Sequence, residues 1–230
     1  MKSIYILIGS FISLIILTGC STKGYSNYTW DKQNMLKNPG FEIIKNNKIA
    51  YWESEGVVRS TDPKANSGKY YLMSSANKEK AITSQVIDVN AYQENIDKGN
   101  VIASFGGFQS GWKKQKDYGY SVLVFYDDKP SKISHASTQP FYSNHWWTKR
   151  ANVVAVPAET RFIKYGFMGI RKKGTNNDAY LDDAFLYLGQ KKVNIKNDEA
   201  TLKSKEKVKE ESYFDEALDF LSEKISLKNK

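Results

Sequence analysis

The chain has 230 residues, a formal net charge of +9 at pH 7 and 13% aromatic residues. This aromatic content is too high for a disordered chain and favours a packed, β-rich core. The 34 Lys and Arg residues are spread along nearly every segment, so no nucleic-acid partner is expected. One Cys and two His exclude a disulfide framework and a multi-cysteine zinc site, and leave little material for a histidine-based hydrolase.

The N-terminus has the pattern of an export signal. Lys2 precedes an uncharged apolar run over 4–16, which is shorter than the roughly 20 residues that cross a bilayer. The run leads to Leu17-Thr18-Gly19-Cys20, which resembles the bacterial lipobox, and this cysteine is the only one in the chain. The resemblance implies a signal peptide over 1–19, cleavage before Cys20 and lipidation of its thiol. The alternative is an ordinary signal peptide or an uncleaved anchor that ends in Cys by coincidence.

A lipidated Cys20 would place the protein in the bacterial envelope. Two or three acyl chains anchor a protein stably, so we expect a membrane partner through the lipid. The non-acidic Ser21 resembles the pattern sorted to the outer membrane of a Gram-negative host. In a Gram-positive host the protein would lie on the outer face of the plasma membrane. Residues 20–35 are polar, lack an apolar period and are predicted to be a tether.

Residues 36–190 have the pattern of an all-β domain. Short β-branched and aromatic runs alternate with Gly, Asn, Asp and Pro, and the segment lacks convincing helical periods. The predicted strands are 50–53, 69–74, 81–89, 101–105, 120–126, 146–156, 161–170 and 179–188. Eight or more strands in roughly 155 residues favour a β-sandwich.

The composition changes again after Gln190. Residues 191–211 are highly charged and are predicted to be a solvated linker. Within 212–227 the apolar positions repeat at helical spacing, which predicts an amphipathic helix. These positions are Phe214, Leu218, Leu221 and Ile225. Such a helix packs back on the sandwich, binds a protein of the cell envelope, or is only marginally ordered.

Several motifs occur in a fixed order along the β domain. They are Asn38-Pro39-Gly40-Phe41-Glu42, Trp52, the runs 65–70 and 85–89, and the run 174–183 that contains Tyr180-Leu181-Asp182-Asp183. Together they resemble the galactose-binding-like jelly roll, the fold of many carbohydrate-binding modules. The resemblance covers residues 36–189 and implies two packed antiparallel sheets with adjacent first and last strands. The expected fold is therefore an all-β jelly-roll β-sandwich, followed by the charged linker and the C-terminal helix.

The same resemblance implies a structural Ca²⁺ site. By position, Glu42 and Asp182 would supply carboxylate oxygens, and Asn66 or Ser67 would supply carbonyl oxygens. Oxygen-only ligands suit this hard cation. Because Asp182 and Asp183 are neighbours on a strand, at most one of them is expected to reach inward. The alternative is that these side chains cap turns or pair with lysines.

No catalytic constellation is evident in the sequence. His135 and His145 are isolated, and Ser110 lacks the flanking residues of a nucleophile elbow. The adjacent pair Asp127-Asp128 is typical of a turn rather than of two carboxylates facing each other across a sugar. We therefore expect a protein that is not an enzyme.

A basic, aromatic loop is predicted over 106–119, between two strands. Loops on a rigid sandwich often carry binding residues, and an aromatic ring can stack on a sugar. Trp112 is either such a platform or an anchor tucked against the sheet. In His145-Trp146-Trp147, alternation would place one indole toward the core and the other outward. The predicted ligand-binding residues are Phe108, Trp112, Lys113, Tyr118 and Trp146.

Two functions are compatible with these features. The first is a membrane-anchored lipoprotein whose sandwich binds a glycan or a similar envelope ligand without catalysis. The second is a structural or protein-interaction lipoprotein that docks through the sandwich and the helix over 212–227. Exposed aromatics lining a groove would favour the first, and a broad apolar patch contiguous with the helix would favour the second.

Overall fold

The computed structural model describes residues 25–142 and 145–192. The predicted signal peptide, the lipidation site Cys20, most of the charged linker and the helix over 212–227 lie outside the described residues. Within the described part of the chain, no helix is long and apolar enough to cross a membrane.

Antiparallel strands dominate the fold. The first seven are β1 (Tyr28–Trp30), β2 (Ile44–Lys45), β3 (Lys48–Ile49), β4 (Glu53–Ser54), β5 (Val57–Arg59), β6 (Tyr71–Ser75) and β7 (Lys80–Asp88). A 3-10 helix (Asn90–Tyr92) and the short helix α1 (Gln93–Asp97) follow. The remaining strands are β8 (Val101–Gly111), β9 (Tyr118–Tyr126), β10 (Lys132–Ser137), β11 (Phe141–Tyr142), β12 (Thr148–Ala155), β13 (Phe162–Ile170) and β14 (Asn177–Lys191).

The strands form two sheets that pack face to face. The first sheet has the order β12-β8-β14-β6-β5, with β1 paired to β14, and the second has the order β10-β9-β13-β7-β4, with β11 paired to β9. Strands β2 and β3 form a separate hairpin. This arrangement confirms the predicted all-β sandwich.

The core lies between the two sheets. Alternation along β9 directs Leu123 and Phe125 inward, where they join Phe105 of β8 and Leu181 and Leu186 of β14. All five side chains are at most 1% exposed. Burial of this apolar surface is the main favourable contribution to folding.

The opposite side of the second sheet is also apolar. The alternate residues of β9 and β13 project there together with Ile82 of β7. We call this surface the outer apolar face, and it consists of Ile82, Tyr118, Tyr120, Val122, Val124, Tyr126, Met168 and Ile170. Every one of these side chains is 7% exposed or less.

The structure corrects the predicted tether. Tyr28–Trp30 forms β1 and pairs with Gly189–Lys191 of β14, so the sandwich begins well before residue 36. The physical reason is the packing of an indole on a glycine. A Cβ atom built on Gly189 would lie 2.9 Å from Cε3 of Trp30, so the bare backbone accommodates the ring.

The structure also corrects the predicted loop over 106–119. Strand β8 continues through Gly111 and β9 begins at Tyr118, which leaves a turn over 112–117. The glycines allow this continuation. A Cβ atom on Gly106 would lie 2.0 Å from the carbonyl oxygen of Arg150, so only glycine permits the close pairing of β8 with β12 at this point.

Candidate functional site

An open pocket of about 840 Å³ lies beside the turn between β8 and β9. The turn supplies basic and amide side chains, and the chain that follows β11 supplies aromatic ones. The lining residues are Lys113, Lys114, Gln115, Lys116, Tyr142, His145 and Trp146. Of these described lining residues, none carries a carboxylate.

Two aromatic rings of the pocket are open to solvent. Trp146 is 72% exposed and Tyr142 is 60% exposed, although large aromatic side chains are usually buried. Tyr118 at the start of β9 holds Tyr142 in place. The two residues pair in register, and their ring centroids are 5.5 Å apart. The pocket therefore presents aromatic faces on a rigid sheet edge.

The turn over 112–117 is held at both ends. The Asp117 carboxylate is fully buried and accepts hydrogen bonds from the backbone N–H groups of Lys172, Lys173 and Asp178. At the other end the Trp112 indole packs against a buried cluster that contains Tyr71 and Tyr180. These anchors fix the backbone that carries the lysines of the pocket.

Trp112 itself is not among the residues that line the pocket. The Arg59 guanidinium stacks over its ring at 5.7 Å, and the Lys113 ammonium lies 4.6 Å from the ring centroid. The ring also meets His145 edge to face, with 6.1 Å between the centroids. In this structure Trp112 has the position of an anchor, which was the second of the two alternatives for it.

Two polar atoms of the pocket residues have no protein partner in the described part of the chain. Nδ1 of His145 and Oε1 of Gln115 are buried and accept or donate no hydrogen bond there. A buried polar atom without a partner is costly, so such atoms point to a bound ligand or an ordered water. Lys113 and His145 also adopt positive φ angles of 48° and 69°, a strained conformation that clusters at functional sites.

The structure brings together only part of the predicted ligand-binding set. Lys113 and Trp146 line the pocket, and the buried Tyr118 supports it through Tyr142. Phe108 lies within β8, where it pairs with Lys149 and Asp182, and it does not belong to the pocket lining. Alternation predicts one exposed and one packed indole in Trp146-Trp147. Trp146 is the exposed one and Trp147 is packed against the domain, although both precede β12. Trp147 donates a hydrogen bond from Nε1 to the Lys64 carbonyl and packs its ring against Tyr71.

Sequence reasoning did not select Tyr142, Gln115 or His145 as binding residues. Tyr142 reaches the pocket because β11 pairs with β9, a long-range contact that has no local signal. The closeness of Tyr142 to the His145-Trp146 pair along the chain is the one clue that could have identified it.

The predicted metal residues converge at a second location, between the register shift inside β14 and the loop before β6. Asp182 is fully buried, and its Oδ2 accepts hydrogen bonds from the backbone N–H groups of Asn66 (2.8 Å) and Ser67 (3.2 Å). Asp183 accepts from the side chains of the same two residues. Glu42 accepts from the backbone N–H groups that follow Gly68.

The three acidic side chains of this cluster surround one point near Gly40. A Cβ atom built on that glycine would lie 3.5 Å from Oδ1 of Asp183, 3.7 Å from Oδ1 of Asp182 and 3.9 Å from Cγ of Glu42. Gly68, with a φ of 59°, is required as well, since a Cβ atom there would lie 2.3 Å from Oε1 of Glu42. Both Asp182 and Asp183 face the loop, contrary to the expectation that only one of them would.

The acidic cluster contains one buried carboxylate, that of Asp182. Burial raises the pKa of Asp182 to about 7, because the ionised carboxylate has lost its water and Asp183 lies beside it. Within the described residues, no lysine or arginine forms an ion pair with either aspartate. In the same residues no group of three or more His, Cys, Asp or Glu side chains is already arranged as a metal site. The backbone groups of Asn66 and Ser67 that contact Asp182 are N–H donors, whereas carbonyl oxygens were expected there as ligands.

The amino-acid sequence matches no described protein family and no characterised protein. Solved structures do resemble the fold. The enzymatically active domain of bacteriophage CBA120 tailspike protein 4 is 12% identical over 66% of this chain, with a TM-score of 0.50. The chain spans 21% of the length of that protein.

Carbohydrate-binding modules are among the other similar structures. A family 16 carbohydrate-binding module is 14% identical, with a TM-score of 0.49, over 66% of this chain and 99% of the module. The C-terminal family 22 module of Clostridium thermocellum Xyn10B is 15% identical, with a TM-score of 0.42, over 68% of this chain and 97% of the module. At these identities the likeness concerns the fold alone.

Proposed function

We propose that this protein binds a glycan, without catalysis, in the pocket beside the turn over 112–117. The observation that carries the proposal is the pair of solvent-exposed rings of Trp146 and Tyr142 on one side of that pocket. Exposing these rings to water has an unfavourable hydration free energy, which stacking on the apolar face of a sugar ring would relieve.

The polar residues of the pocket suit sugar hydroxyls. Gln115 and His145 line the pocket and each has one buried polar atom without a hydrogen-bond partner among the described residues, and sugar hydroxyls both donate and accept hydrogen bonds. A pocket with aromatic faces and a few fixed polar atoms is the usual arrangement of a small-molecule site.

The charge of the pocket favours an acidic glycan. Lys113, Lys114 and Lys116 line it, and the described lining contains no opposing carboxylate. A glycan that bears carboxylate or sulfate groups would gain charge-assisted contacts that a neutral glycan lacks.

A glycan array tests the proposal. The fragment 21–230 is applied to neutral and acidic polysaccharides, beside a variant that carries both Tyr142→Ala and Trp146→Ala. We expect the wild type to retain acidic glycans and the variant to lose them while keeping its far-ultraviolet circular dichroism spectrum. Equal retention by both proteins, or retention of no glycan by the folded wild type, would contradict the proposal.

The envelope location belongs to the same proposal. Lipidation of Cys20 would hold the sandwich on a membrane surface, where it would meet cell-envelope polysaccharides. A Ca²⁺ ion at the acidic cluster of Asp182, Asp183 and Glu42 would be structural, because this cluster lies apart from the pocket residues. When bound, the ion would neutralise the buried Asp182 carboxylate and tie the middle of β14 to the loop before β6.

A further inference from the structure

A second basic segment lies beside the glycan pocket. It is the loop over 171–176, which joins β13 to β14 and contains Arg171, Lys172 and Lys173. We call this segment the basic loop. Lys172 and Lys173 are exposed, and among the described residues no carboxylate forms an ion pair with either of them. Their ammonium groups are therefore available to an anionic ligand.

The basic loop is bonded to the turn that carries the pocket lysines. The buried Asp117 carboxylate, at the end of that turn, accepts hydrogen bonds from the backbone N–H groups of Lys172 (2.7 Å) and Lys173 (3.1 Å). Gln115 lines the pocket, and its Nε2 atom lies 3.6 Å from a Cβ atom built on Gly174. The pocket lining and the basic loop are thus neighbouring parts of one surface.

One aromatic ring contacts both the pocket and the basic loop. The Lys172 Nζ atom lies 5.6 Å from the centroid of the Tyr118 ring, and the same centroid lies 5.5 Å from that of Tyr142. Tyr142 is one of the two exposed rings on which the proposed glycan stacks. The Debye length is about 10 Å at 0.1 M ionic strength, so the Lys172 ammonium would attract an anionic group on a neighbouring sugar unit.

Arg171 fixes the backbone of the basic loop. Its guanidinium donates hydrogen bonds to the carbonyl oxygens of Asn77 and Thr175. Its backbone N–H donates to the Glu79 carbonyl at 2.8 Å. A ligand would therefore meet the two lysines on a preformed backbone, which keeps the entropic cost of ordering the loop on binding small.

Two aspartates adjoin the basic loop, and both are buried. The bonds of Asp117 come from backbone N–H groups. Asp178 is 4% exposed, accepts a 2.8 Å hydrogen bond from the Tyr180 hydroxyl and lies 3.9 Å from the Arg59 guanidinium. The exposed charged residues of the turn and the basic loop are therefore all lysines. They are Lys113, Lys114, Lys116, Lys172 and Lys173.

We propose that the basic loop is a second anion-binding subsite of the glycan site, and that the ligand is a linear acidic polysaccharide with charged groups along its chain. This inference rests on the proposed function and specifies its ligand class. Tyr142 and Trp146 would hold one sugar unit, while Lys172 and Lys173 would contact the carboxylate or sulfate groups of other units. Because both contacts belong to one chain, the second forms at a high effective concentration, and longer chains bind more tightly.

Oligosaccharide binding by the full chain, solubilised in detergent, tests this proposal. The probes are disaccharides and octasaccharides of galacturonate, which carry carboxylates, and of heparin, which carry sulfates. We expect the wild type to bind at least one octasaccharide. The double variant Lys172→Gln/Lys173→Gln should bind it about fivefold more weakly, since two exposed charge pairs contribute on the order of 1 kcal/mol. Its affinity for the matching disaccharide and its melting temperature should not change.

A matched control removes the same charge from the far end of β9. Lys129 and Lys132 are exposed and flank the turn between β9 and β10, whereas the pocket lies at the start of β9. The double variant Lys129→Gln/Lys132→Gln should therefore bind the octasaccharide as the wild type does. An equal loss of affinity in both double variants would overturn the proposal, because it would reflect the net charge of the protein rather than a subsite.

Two further results would overturn the proposal, and they separate it from the proposed function. In the first, Lys172→Gln/Lys173→Gln binds the octasaccharide with wild-type affinity while Tyr142→Ala/Trp146→Ala does not bind it. The glycan site would then stand and be confined to the pocket. In the second, the wild type binds neither octasaccharide, which would also remove the proposed function. Binding to phosphatidylglycerol vesicles that is lost in Lys172→Gln/Lys173→Gln would then assign the basic loop to an anionic membrane surface.

Discussion

The Asp182 carboxylate accepts a 2.8 Å hydrogen bond from the backbone N–H of Asn66, which lies 116 positions earlier in the chain. This contact joins β14 to the loop before β6. It places the buried Asp182 carboxylate where no lysine or arginine among the described residues forms an ion pair with it. A cation that binds here would stabilise the folded state alone, because the unfolded chain does not hold these groups together.

We therefore expect calcium to stabilise the protein. At a hundredfold excess over its dissociation constant, Ca²⁺ should add about 2.7 kcal/mol to the free energy of unfolding and raise the melting temperature above that in chelator. Asp182→Asn should abolish the difference, because it removes the buried charge. Asp88→Asn changes an exposed aspartate in the same way and should keep the calcium response. Identical melting curves of the wild type in calcium and in chelator would argue against a metal at this cluster.

Trp112 and Trp146 should differ in their effect on stability. Trp112→Ala removes an indole that packs under Arg59 and against the Tyr71 and Tyr180 cluster, and we expect it to lower the free energy of unfolding by about 3 kcal/mol. Trp146→Ala removes a solvent-exposed ring and should change it by less than about 0.5 kcal/mol. Denaturant unfolding of the two variants measures both values. A larger loss for Trp146→Ala than for Trp112→Ala would reverse the roles assigned to these rings.

The comparison of these tryptophans shows what the sequence could predict about the site. Lys113 was predicted from its place in a basic, aromatic segment between two strands, and Trp146 from the alternation expected in His145-Trp146-Trp147; both line the pocket. Whether Trp112 was a platform or an anchor could not be decided, since the choice depends on Arg59 and Tyr180, which meet it only in the folded chain.

The strands show the same division between local and long-range information. The bounds of β7, β9 and β13 agree with the predicted runs to within two residues, because alternation and β-branched residues are local signals. The continuation of β8 through Gly106 was not predicted, since its glycines look like a loop and are explained only by the approach of β12. Strand β1 was missed because its place beside β14 depends on the other end of the domain.

Lipidation at Cys20 is open to a direct test. Cys20→Ser removes the only thiol of the chain, so labelling by a fatty-acid analogue should disappear and any processed protein should leave the membrane fraction. Ser21→Ala changes the neighbouring hydroxyl and should leave the labelling unchanged. Persistent labelling of the Cys20→Ser protein would exclude the lipobox interpretation.

Glycan binding should depend on salt. Because Lys113, Lys114 and Lys116 line the pocket, the affinity for an acidic polysaccharide should fall as the ionic strength rises and the Debye length shortens from about 10 Å at 0.1 M to about 3 Å at 1 M. Replacing the three lysines with Gln should weaken binding at low salt and flatten this dependence. An affinity that stays constant from low to high salt would instead indicate a neutral glycan.

The affinity of Trp146→Ala for the array-selected glycan, measured by isothermal titration calorimetry, tests the central claim most directly. An exposed ring that stacks on the ligand should behave as a binding hot spot, so the variant should lose about 2 kcal/mol or more of binding free energy, roughly 30-fold in affinity, with an unchanged melting temperature. Tyr51→Ala removes another exposed aromatic ring, 53% exposed and flanked by Lys37 and Lys45, and should bind as the wild type does. Wild-type affinity in Trp146→Ala would contradict glycan binding at this pocket.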